Sequence, residues 1–473
     1  MSDSDLTEQE DFSKYPPPAA ALNEDSWKIL WTLAWPAVAL NLLQTINSLL
    51  DNYFVQTLPK GALTALGGST NVIFLFVSFS MMMGTASTAL VSRFYGAKEH
   101  ENCQIAARKS LTLGLLLGIG MVFLAVPGAF LAAKAFVPSD DHQAQAFMTQ
   151  YLAVFAMSLP AVNIIQSLAG SLRGVGDTKS PMVISGAQIL LHIILNWFLI
   201  FPGHDVFGIH VPGAGWGIAG AAAAMTIACW IAAIVYIIYA RSTPLHMKKW
   251  FSMPDLEWSK RILNIALPSG MLSILRVTSL MAFTFILTHV ARGSDAIAAL
   301  RPGFSLESIA FMPAFGLSIA AATLVGQSLG MKDPERAERL AWTAGHHAAA
   351  VSLLASIFLF FFSHQIANLV VPDQPAVAEI AAQYLIYISV TEVFFGYAMV
   401  MVGAMQGAGD TLRPMYLTLI CMWLIRVPLA AFCVFFLKTG PEGCWFALSA
   451  TQLIQGLLSM WMFKKGAWKT VRV

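Results

Sequence analysis

Long apolar stretches recur along the whole 473-residue chain, and they limit its fold more than any other feature. A helix that crosses a bilayer needs about 20 mostly apolar residues. Charged residues are only 11% of the chain, against about 25% in soluble domains, so they cannot cover a soluble surface of this size. The sequence therefore predicts an all-α polytopic membrane protein of twelve transmembrane helices, at 29–55, 66–92, 105–137, 147–171, 181–201, 214–240, 262–290, 297–329, 341–371, 378–405, 412–437 and 443–463.

One carboxylate interrupts the first of these stretches. Nothing from Ile29 to Leu50 is charged, and Asp51 follows near the far end of the span. An ionisable group at membrane depth costs about 2.5–3.5 kcal/mol on insertion scales and is usually kept for a task. Asp51 is therefore a candidate ion-coupling residue, and the alternative is a carboxylate at the end of the span that faces outside water.

The basic residues give the spans a direction. With a cytoplasmic N-terminus, most of the 28 Lys and Arg residues fall on the cytoplasmic side, as is usual in membrane proteins. Both termini are then cytoplasmic, and the absence of a signal-peptide pattern favours a plasma (inner) membrane. The opposite side holds Lys60, Lys134, Arg292, Arg301 and Lys438.

The two halves of the chain resemble each other. Three features of the first half recur in the second at a nearly constant separation, each at the same place in a unit of six spans. Because six is an even number, both units enter the membrane from the same side, and the repeats are parallel, as in several transporter classes. The paired features are Leu90–Lys98 with Leu324–Lys332, Gly174–Thr178 with Gly407–Thr411, and Pro36 with Pro268.

The repeat defines the domains that we predict. A polar segment joins the two units. A rocking transporter needs two such halves, because its substrate path lies between them. The predicted parts are a cytoplasmic N-terminal tail (1–28), an N-lobe of six helices (29–240), a cytoplasmic linker (241–261), a C-lobe of six helices (262–463) and a cytoplasmic C-terminal tail (464–473).

The repeated Gly-x-Gly-Asp-Thr sequences lack the context of a phosphate-binding loop. Neither follows a strand, and neither has the Gly-x-x-x-x-Gly-Lys-Ser/Thr pattern. We expect their glycines to let the chain reverse tightly between two helices. The Asp and Thr are expected to cap the helix that follows.

Five motifs stand out along the chain. They are Leu172-Arg-Gly-Val-Gly-Asp-Thr-Lys-Ser-Pro181, Met405-Gln-Gly-Ala-Gly-Asp-Thr-Leu-Arg-Pro414, Leu324-Val-Gly-Gln-Ser-Leu-Gly330, Gly215-Trp-Gly-Ile-Ala-Gly-Ala-Ala222 and Arg426-Val-Pro-Leu429. Together they make the sequence similar to the multidrug and toxic compound extrusion (MATE) transporters, with a leaning to the branch that resembles the DNA-damage-inducible protein, and the resemblance covers nearly all twelve spans. It implies two lobes in a V shape, alternating access between them, and export of organic, often cationic compounds in exchange for H⁺ or Na⁺.

The resemblance implies a cavity in the N-lobe around Asp51, which matches the carboxylate of the family's first helix. Pro36 matches a proline that bends this helix in relatives. Asn196 stands where some relatives carry a second carboxylate, and His192, one turn earlier, stands where Asn is usual. Thr226 matches a further small polar position. His192 either joins a proton relay, since its charge changes near physiological pH, or is a neutral side chain hydrogen-bonded between helices.

The C-lobe departs more from the family. Arg276 stands where sodium-coupled relatives can carry a glutamate, and Phe395 stands where an acidic residue is expected in the tenth span, with Glu392 one turn earlier. Arg276 and Arg426 fall inside spans, so we expect them to pair with carboxylates or carbonyl groups. Glu307 and Glu392 are the candidate partners. A structural ion pair and a role in ion or substrate binding both remain open for these four residues.

Proton coupling through Asp51 is the preferred hypothesis, because an apolar environment favours the neutral form of a carboxylate. Sodium coupling remains open. We predict no cofactor, and no metal site, since the five cysteines form no Cys-x-x-Cys pair. The predicted partners are small organic substrates, a coupling cation and the lipid bilayer. No nucleic-acid partner is predicted, and the protein is expected to act as a monomer.

Three other functions were weighed. A lipid-linked saccharide flippase of the same superfamily would show extra spans and a more basic cavity. An intramembrane enzyme would need paired catalytic groups at membrane depth, and neither a second Asp beside Asp51 nor a His-Glu-x-x-His pattern occurs. A channel would leave two asymmetric halves without a role. The sequence therefore favours an efflux antiporter and not an enzyme.

Overall fold

The computed structural model describes residues 26–56, 58, 60–206, 209–246, 251–253 and 255–471, and it is almost entirely helical. The first half contains α1 (Ser26–Gln56), α2 (Lys60–Gly96), α3 (His100–Phe136), α4 (His142–Ala156), α5 (Leu159–Gly174), α6 (Lys179–Ile200) and α7 (Gly217–Ala240). The second half contains α8 (Leu256–Leu287), α9 (Gly293–Gly330), α10 (Pro334–Val370), α11 (Pro375–Ser389), α12 (Glu392–Gly407), α13 (Leu412–Thr418), α14 (Val427–Ala431) and α15 (Pro441–Lys464). The π-helical stretch Leu419–Arg426 joins α13 to α14, and a second one, Phe432–Phe436, continues α14, so that Leu412–Phe436 is one long helix. A 3₁₀ turn (Ala467–Thr470) follows α15.

Ten helices in the described residues are long and apolar enough to cross a membrane, and two bent pairs raise the number to twelve. The pairs are α4 with α5, bent by 46°, and α11 with α12, bent by 60°. They take the fourth place in each half. The predicted all-α polytopic membrane protein of twelve spans is therefore confirmed, with the difference that the fourth and tenth spans are broken.

The two breaks have different local causes. In the first pair, Pro160 is the second residue of α5, and its missing N–H prevents a continuous helix from α4. No proline lies at the second break, where Thr391 precedes α12 and donates a hydrogen bond to Gln452 Oε1 of α15 over 2.8 Å. The residue at the second break thus makes a tertiary contact that the local sequence does not predict.

A small antiparallel hairpin, which the sequence did not predict, lies between α6 and α7. Strand β1 (Pro202–Val206) pairs with β2 (Ile209–Ala214), with Pro202 opposite Ala214. The strands come very close at Gly213, where a Cβ atom would lie within 2.9 Å of the Pro202 carbonyl oxygen. A residue with a side chain would clash there, so this close approach of the two strands requires glycine.

The chain forms two compact units, each with its own apolar core. The first contains residues 39–266, and the second contains the described residues up to Val38 together with 267–471. α1 is therefore shared: its first turns pack through Leu30, Leu33 and Ala34 into the core of the second unit, while its later turns, through Phe54 and Val55, belong to the first.

The repeated loops have the same backbone conformation in both halves. Gly176 and Gly409, the second glycines of the Gly-x-Gly-Asp-Thr sequences, have φ angles of 93° and 86°, a region that L-residues rarely adopt. Lys98 and Lys332, at the ends of the other repeated motif, have φ angles of 60° and 61°. The duplication inferred from sequence is thus visible in the backbone.

The aspartates of these loops cap the next helix, as predicted, whereas the threonines do not. Asp177 Oδ1 accepts a hydrogen bond from the Ser180 backbone N–H over 2.9 Å, and Asp410 Oδ1 accepts one from the Arg413 N–H over 3.4 Å. The threonine after each aspartate is the N-cap residue but makes no capping bond with its side chain. Helix capping therefore accounts for the acidic residue of this motif.

Candidate functional site

Helix α1 places two polar side chains one turn apart in the first unit. Asn47 Nδ2 donates a hydrogen bond to Asp51 Oδ2 over 3.2 Å. Residues four apart on a helix lie on the same face, so the apolar sequence of α1 presents this pair together. Asn47 was not among the predicted site residues, although its spacing from Asp51 was a signal that could have identified it.

Helix α6 supplies a second pair, His192 and Asn196, which meets the first. Asn196 Nδ2 donates to Asp51 Oδ1 over 2.8 Å, and His192 Nδ1 lies 3.1 Å from Asn47 Oδ1. The amide oxygen of Asn47 can only accept, so the hydrogen lies on Nδ1 of His192, which donates. The structure thus brings together three of the predicted site residues, Asp51, His192 and Asn196.

The two helices meet in a regular register. The same separation of 145 residues joins Asn47 to His192 and Asp51 to Asn196. A constant separation over one turn requires that the two helices run in the same direction. The first and fifth spans of a multi-pass chain cross the membrane in the same direction, so the site agrees with the predicted topology.

The contact between His192 and Asp51 has the chemistry of a proton site. His192 Nε2 lies 3.8 Å from Asp51 Oδ1. With its hydrogen on Nδ1, a neutral His192 has an acceptor at Nε2, and the carboxylate oxygen beside it is also an acceptor, so the two atoms repel each other. One proton, on either atom, turns this repulsion into attraction. The pair can therefore hold and release a single proton.

The carboxylate is partly accessible, whereas its partners are buried. The Asp51 side chain is 27% exposed, while that of His192 is 3% exposed. Asn196 is also buried, and its Oδ1 atom has no hydrogen-bond partner among the described residues. The site is thus a buried polar group with one open side at Asp51.

The other two predicted residues of the first half lie apart from this group. Thr226 donates its hydroxyl hydrogen to backbone carbonyls, with Val154 O at 3.1 Å and Ala222 O at 2.9 Å. Pro36 lies inside α1, two residues before Val38, where the part of α1 in the second unit ends. In the described structure the hydroxyl of Thr226 therefore bonds to these carbonyls and not to Asp51.

The second unit contains a different acidic group around Glu307 of α9. Tyr384 donates its hydroxyl to Glu307 Oε2, and Gln452 Nε2 donates to Glu307 Oε1 over 3.0 Å. Both carboxylate oxygens accept a hydrogen bond, which suits an ionised side chain. Tyr384 and Gln452 were not predicted, because nothing in their local sequence indicates that they face Glu307.

Glu392, at the start of α12, is the contrasting member of this group. It is fully buried, and neither of its carboxylate oxygens has a hydrogen-bond partner among the described residues. It lies close enough to Glu307 for the two to interact electrostatically. An ionised carboxylate without partners is very unfavourable in the interior of a protein, so this geometry suits a protonated, neutral Glu392.

Among the described residues, neither Arg276 nor Arg426 forms a direct ion pair with a glutamate, which was one of the two roles that the sequence leaves open for them. Arg426 Nε donates to Thr451 Oγ1 over 2.9 Å, and Arg276 is exposed. Among the described residues neither guanidinium lies within 4.0 Å of a carboxylate oxygen. Arg426 is close enough to Glu307 for electrostatic attraction, whereas the charge that acts on Arg276 is that of Arg426. The hydrogen-bond partner of the Arg426 guanidinium is therefore the Thr451 hydroxyl.

Arg426 lies at the end of an irregular, π-helical segment. It is the last residue of the π-helical stretch Leu419–Arg426, and Pro428 follows in α14. Proline has no N–H to donate, and π-helical turns often occur at functional sites.

The described residues contain no cluster of three His, Cys, Asp or Glu side chains that could hold a metal ion.

The MatE family model matches residues 36–198 and 268–432. The chain is 27% identical over 444 residues to the probable multidrug resistance protein NorM of Thermotoga maritima, with 93% of each chain covered. It is 25% identical over 452 residues to the probable multidrug resistance protein YoeA of Bacillus subtilis, with 94% of this chain and 95% of the other covered.

Solved structures share the fold. A MATE protein in complex with MaL6 superposes with a TM-score of 0.85 at 21% identity, and an outward-facing multidrug resistance MATE family transporter superposes with a TM-score of 0.83 at 20% identity. Each comparison covers 95% of this chain and 98% of the other. The two family matches begin at Pro36 and Pro268, the prolines that the internal repeat had paired. The chain belongs to the MatE family, whose members are membrane transporters and not enzymes.

Proposed function

We propose that this chain is a secondary active multidrug efflux antiporter, which exports organic, often cationic compounds in exchange for H⁺ by alternating access. The observation that carries the proposal is the contact of His192 Nε2 with Asp51 Oδ1, which can hold one exchangeable proton. The substrate class rests on the relatives, which are described as probable multidrug resistance proteins.

The groups around Asp51 favour a proton over Na⁺. Its carboxylate is surrounded by the nitrogen atoms of Asn47, Asn196 and His192. Hard cations are bound mainly by oxygen ligands, and N–H groups that point at the carboxylate oppose a metal cation. A proton needs only one acceptor and is compatible with these neighbours.

Competition for the charge of Asp51 would couple the two fluxes. An organic cation and a proton each neutralise the carboxylate, so binding of one weakens binding of the other. The open side of Asp51 gives an organic cation a way to approach. The proton then enters from one side of the membrane, and the compound displaces it from the other.

Helix α1 is the element that would transmit this exchange. Asp51 lies in the part of α1 that belongs to the first unit, whereas the turns up to Val38 belong to the second. Pro36 stands beside this boundary, and a proline inside a helix removes a backbone hydrogen bond and permits a kink. We propose that protonation of Asp51 changes the packing of α1 and that the helix bends at Pro36.

The acidic group of the second unit is proposed as a second proton-binding place. Glu392 has the geometry of a neutral carboxyl group and Glu307 that of an ionised one. The two side chains would then hold one proton between them. Arg426 supplies compensating positive charge to Glu307. Thr226 stays proposed as a residue of the ion-coupling and substrate cavity, and Arg276 as a residue of a polar site in the second half of the chain.

The remaining parts of the proposal concern the cell. We place the protein in the plasma (inner) membrane with both termini in the cytoplasm, as the distribution of Lys and Arg indicates. We propose a monomer that needs no cofactor, with the five domains predicted above.

Transport by purified protein in proteoliposomes tests the proposal. Efflux of a fluorescent cation should follow an imposed pH gradient and should not follow a Na⁺ gradient of equal size. Asp51→Asn should abolish the flux, and Glu257→Gln, which changes an exposed acid paired with Arg261, should leave it unchanged.

Other outcomes would identify another function. Flux driven by Na⁺ alone would overturn the choice of coupling ion, and flux without any gradient would indicate a channel. Gradient-independent translocation of a lipid-linked saccharide, with no flux of organic cations, would favour the flippase alternative.

A further inference from the structure

An apolar crevice lies in the first unit. It has a volume of about 180 Å³ and lies between α2, α3 and α4. Its walls include Phe76 from α2, Gly128 from α3, and Leu152 and Phe155 from α4. None of the lining side chains carries a polar atom. The crevice is comparable in size to the ~150 Å³ apolar cavities that accept a benzene-sized ligand.

The crevice is continuous with the outer surface of the membrane-spanning helices. Two of its lining residues, Leu75 of α2 and Leu124 of α3, are exposed. Phe123 and Leu131 extend the same apolar surface along α3, and they are 75% and 68% exposed. In a protein whose helices cross a bilayer, such large exposed apolar residues contact lipid. The crevice is therefore an indentation in a lipid-facing surface.

Its position corresponds to one half of the bilayer. The lining residues fall in the first half of α2, in the second half of α3 and in the last turns of α4. All three segments lie on the side away from the short connection between Gly96 and His100. The crevice thus reaches from that leaflet toward the middle of the membrane.

Water is a poor occupant of this space. A buried water molecule needs two to four polar partners, and the lining offers no polar side chain. Empty space is also unfavourable, because the lining atoms lose their van der Waals contacts. A flexible hydrocarbon chain from the surrounding bilayer needs no polar partner and restores the van der Waals contacts.

We propose that this crevice binds one acyl chain of a membrane phospholipid. Lys134, in the last turn of α3, gives the site its polar end. It lies six residues beyond Gly128, roughly 9 Å along the helix axis, and its ammonium group lies over the Phe130 ring, 4.3 Å from the centroid. Phe130 and Leu131, both exposed, fill the interval along α3. The phosphate of the lipid binds beside Lys134, and one of its chains enters the crevice.

Glycine 128 allows a selective test of this site. A Cβ atom at Gly128 would meet no atom within 4 Å, and the same is true of Gly120 on the same helix. Gly128 lines the crevice, whereas Gly120 does not. Gly128→Trp should fill the crevice without displacing the backbone, and Gly120→Trp adds the same side chain to the same helix outside it.

The experiment uses the full-length protein in vesicles of phosphatidylethanolamine and phosphatidylglycerol. A trace phosphatidylethanolamine carries a diazirine in one acyl chain, and the protein is illuminated after transfer into lipid-free detergent. We expect labelling to persist on the peptides that contain Leu124 and Phe155 and to be lost from Leu353–Phe362 of α10, an ordinary lipid-facing segment. Gly128→Trp should abolish the persistent labelling, Lys134→Gln should reduce it, and Gly120→Trp should not change it.

Each contrary result would overturn the proposal. Equal labelling of the crevice and of α10 in the wild-type protein would show ordinary lipid contact, and this measurement does not depend on the folding of any variant. Loss of the label when a transported cationic dye is added would identify the crevice as a substrate site. Persistent labelling in a folded Gly128→Trp variant, judged by size-exclusion chromatography, would place the lipid elsewhere.

Discussion

The two units bury acidic side chains in contrasting ways. In the first unit, Asp51 stays 27% exposed and faces nitrogen atoms of amide and imidazole groups. In the second unit, Glu307 and Glu392 are buried completely or nearly so, and only Glu307 accepts hydrogen bonds. The first arrangement leaves a charge open to exchange, while the second combines a satisfied carboxylate with an unsatisfied one.

The two duplicated units share the backbone conformation of their loops, but their acidic side chains lie on different helices. The repeated loops share their backbone angles and their aspartate caps. The repeat, however, places Phe283 where the first unit has Asp51, and Phe283 is fully buried against Trp445, with ring centroids 6.3 Å apart. The second unit therefore builds its acidic group from other helices, α9 and α12.

The largest expected effect comes from removing the charge that can exchange. Asp51→Asn should abolish efflux driven by a pH gradient, because the amide cannot bind and release a proton near neutral pH. The measurement is drug accumulation in cells and dye flux in proteoliposomes at equal expression. Wild-type resistance in the variant would mean that Asp51 is only a carboxylate at the end of a span.

Neutralising the two glutamates of the second unit, one at a time, should lower the stability of the protein by different amounts. Glu307→Gln loses the charge-assisted part of two hydrogen bonds and should cost about 2 kcal/mol. Glu392→Gln replaces a neutral carboxyl group by a neutral amide and should cost less than about 1 kcal/mol. Thermal unfolding in detergent, with each variant as the control for the other, measures the difference. Equal losses would contradict the assignment of one ionised and one neutral glutamate.

Within the first unit, substitutions of the two predicted cavity residues Asn196 and Thr226 should reduce efflux by different amounts. Asn196→Ala removes the 2.8 Å donor to Asp51 and should reduce efflux by roughly tenfold, since a hydrogen bond to a charged group contributes about 1.5–3 kcal/mol. Thr226→Val removes a hydroxyl that donates to backbone carbonyls only and should reduce efflux less. A larger loss for Thr226→Val would extend the site beyond the group around Asp51.

The smallest effect tests what the two units share. Asp177→Ala and Asp410→Ala each remove a helix cap, which typically contributes about 1 kcal/mol. Both variants should lower the unfolding temperature to a similar, small extent and leave transport in place. A complete loss of transport by one variant alone would indicate that its loop has a function beyond capping.

Much of the fold could be predicted because its signals are local. Apolar length marked the twelve spans, and recurring motifs marked the duplication. The breaks within the fourth and tenth spans were not predicted, and at the second break Thr391 contacts Gln452, which lies 61 residues away in the chain. The hairpin between α6 and α7 was missed as well, since it lies in a short connection without the apolar length of a span.

A duplicated, all-helical membrane protein with a rare carboxylate at Asp51 can be inferred from local patterns alone, because hydropathy, glycine turns and repeated motifs are each visible within short segments. The meeting of His192 and Asn196 with Asn47 and Asp51, 145 residues away, depends on how the helices pack, and so does the hydrogen bond from Arg426 to Thr451. The rotation and register of each packed helix depend on all its neighbours at once, so a local segment does not encode them. Which polar groups face each other is therefore a property of the assembled core.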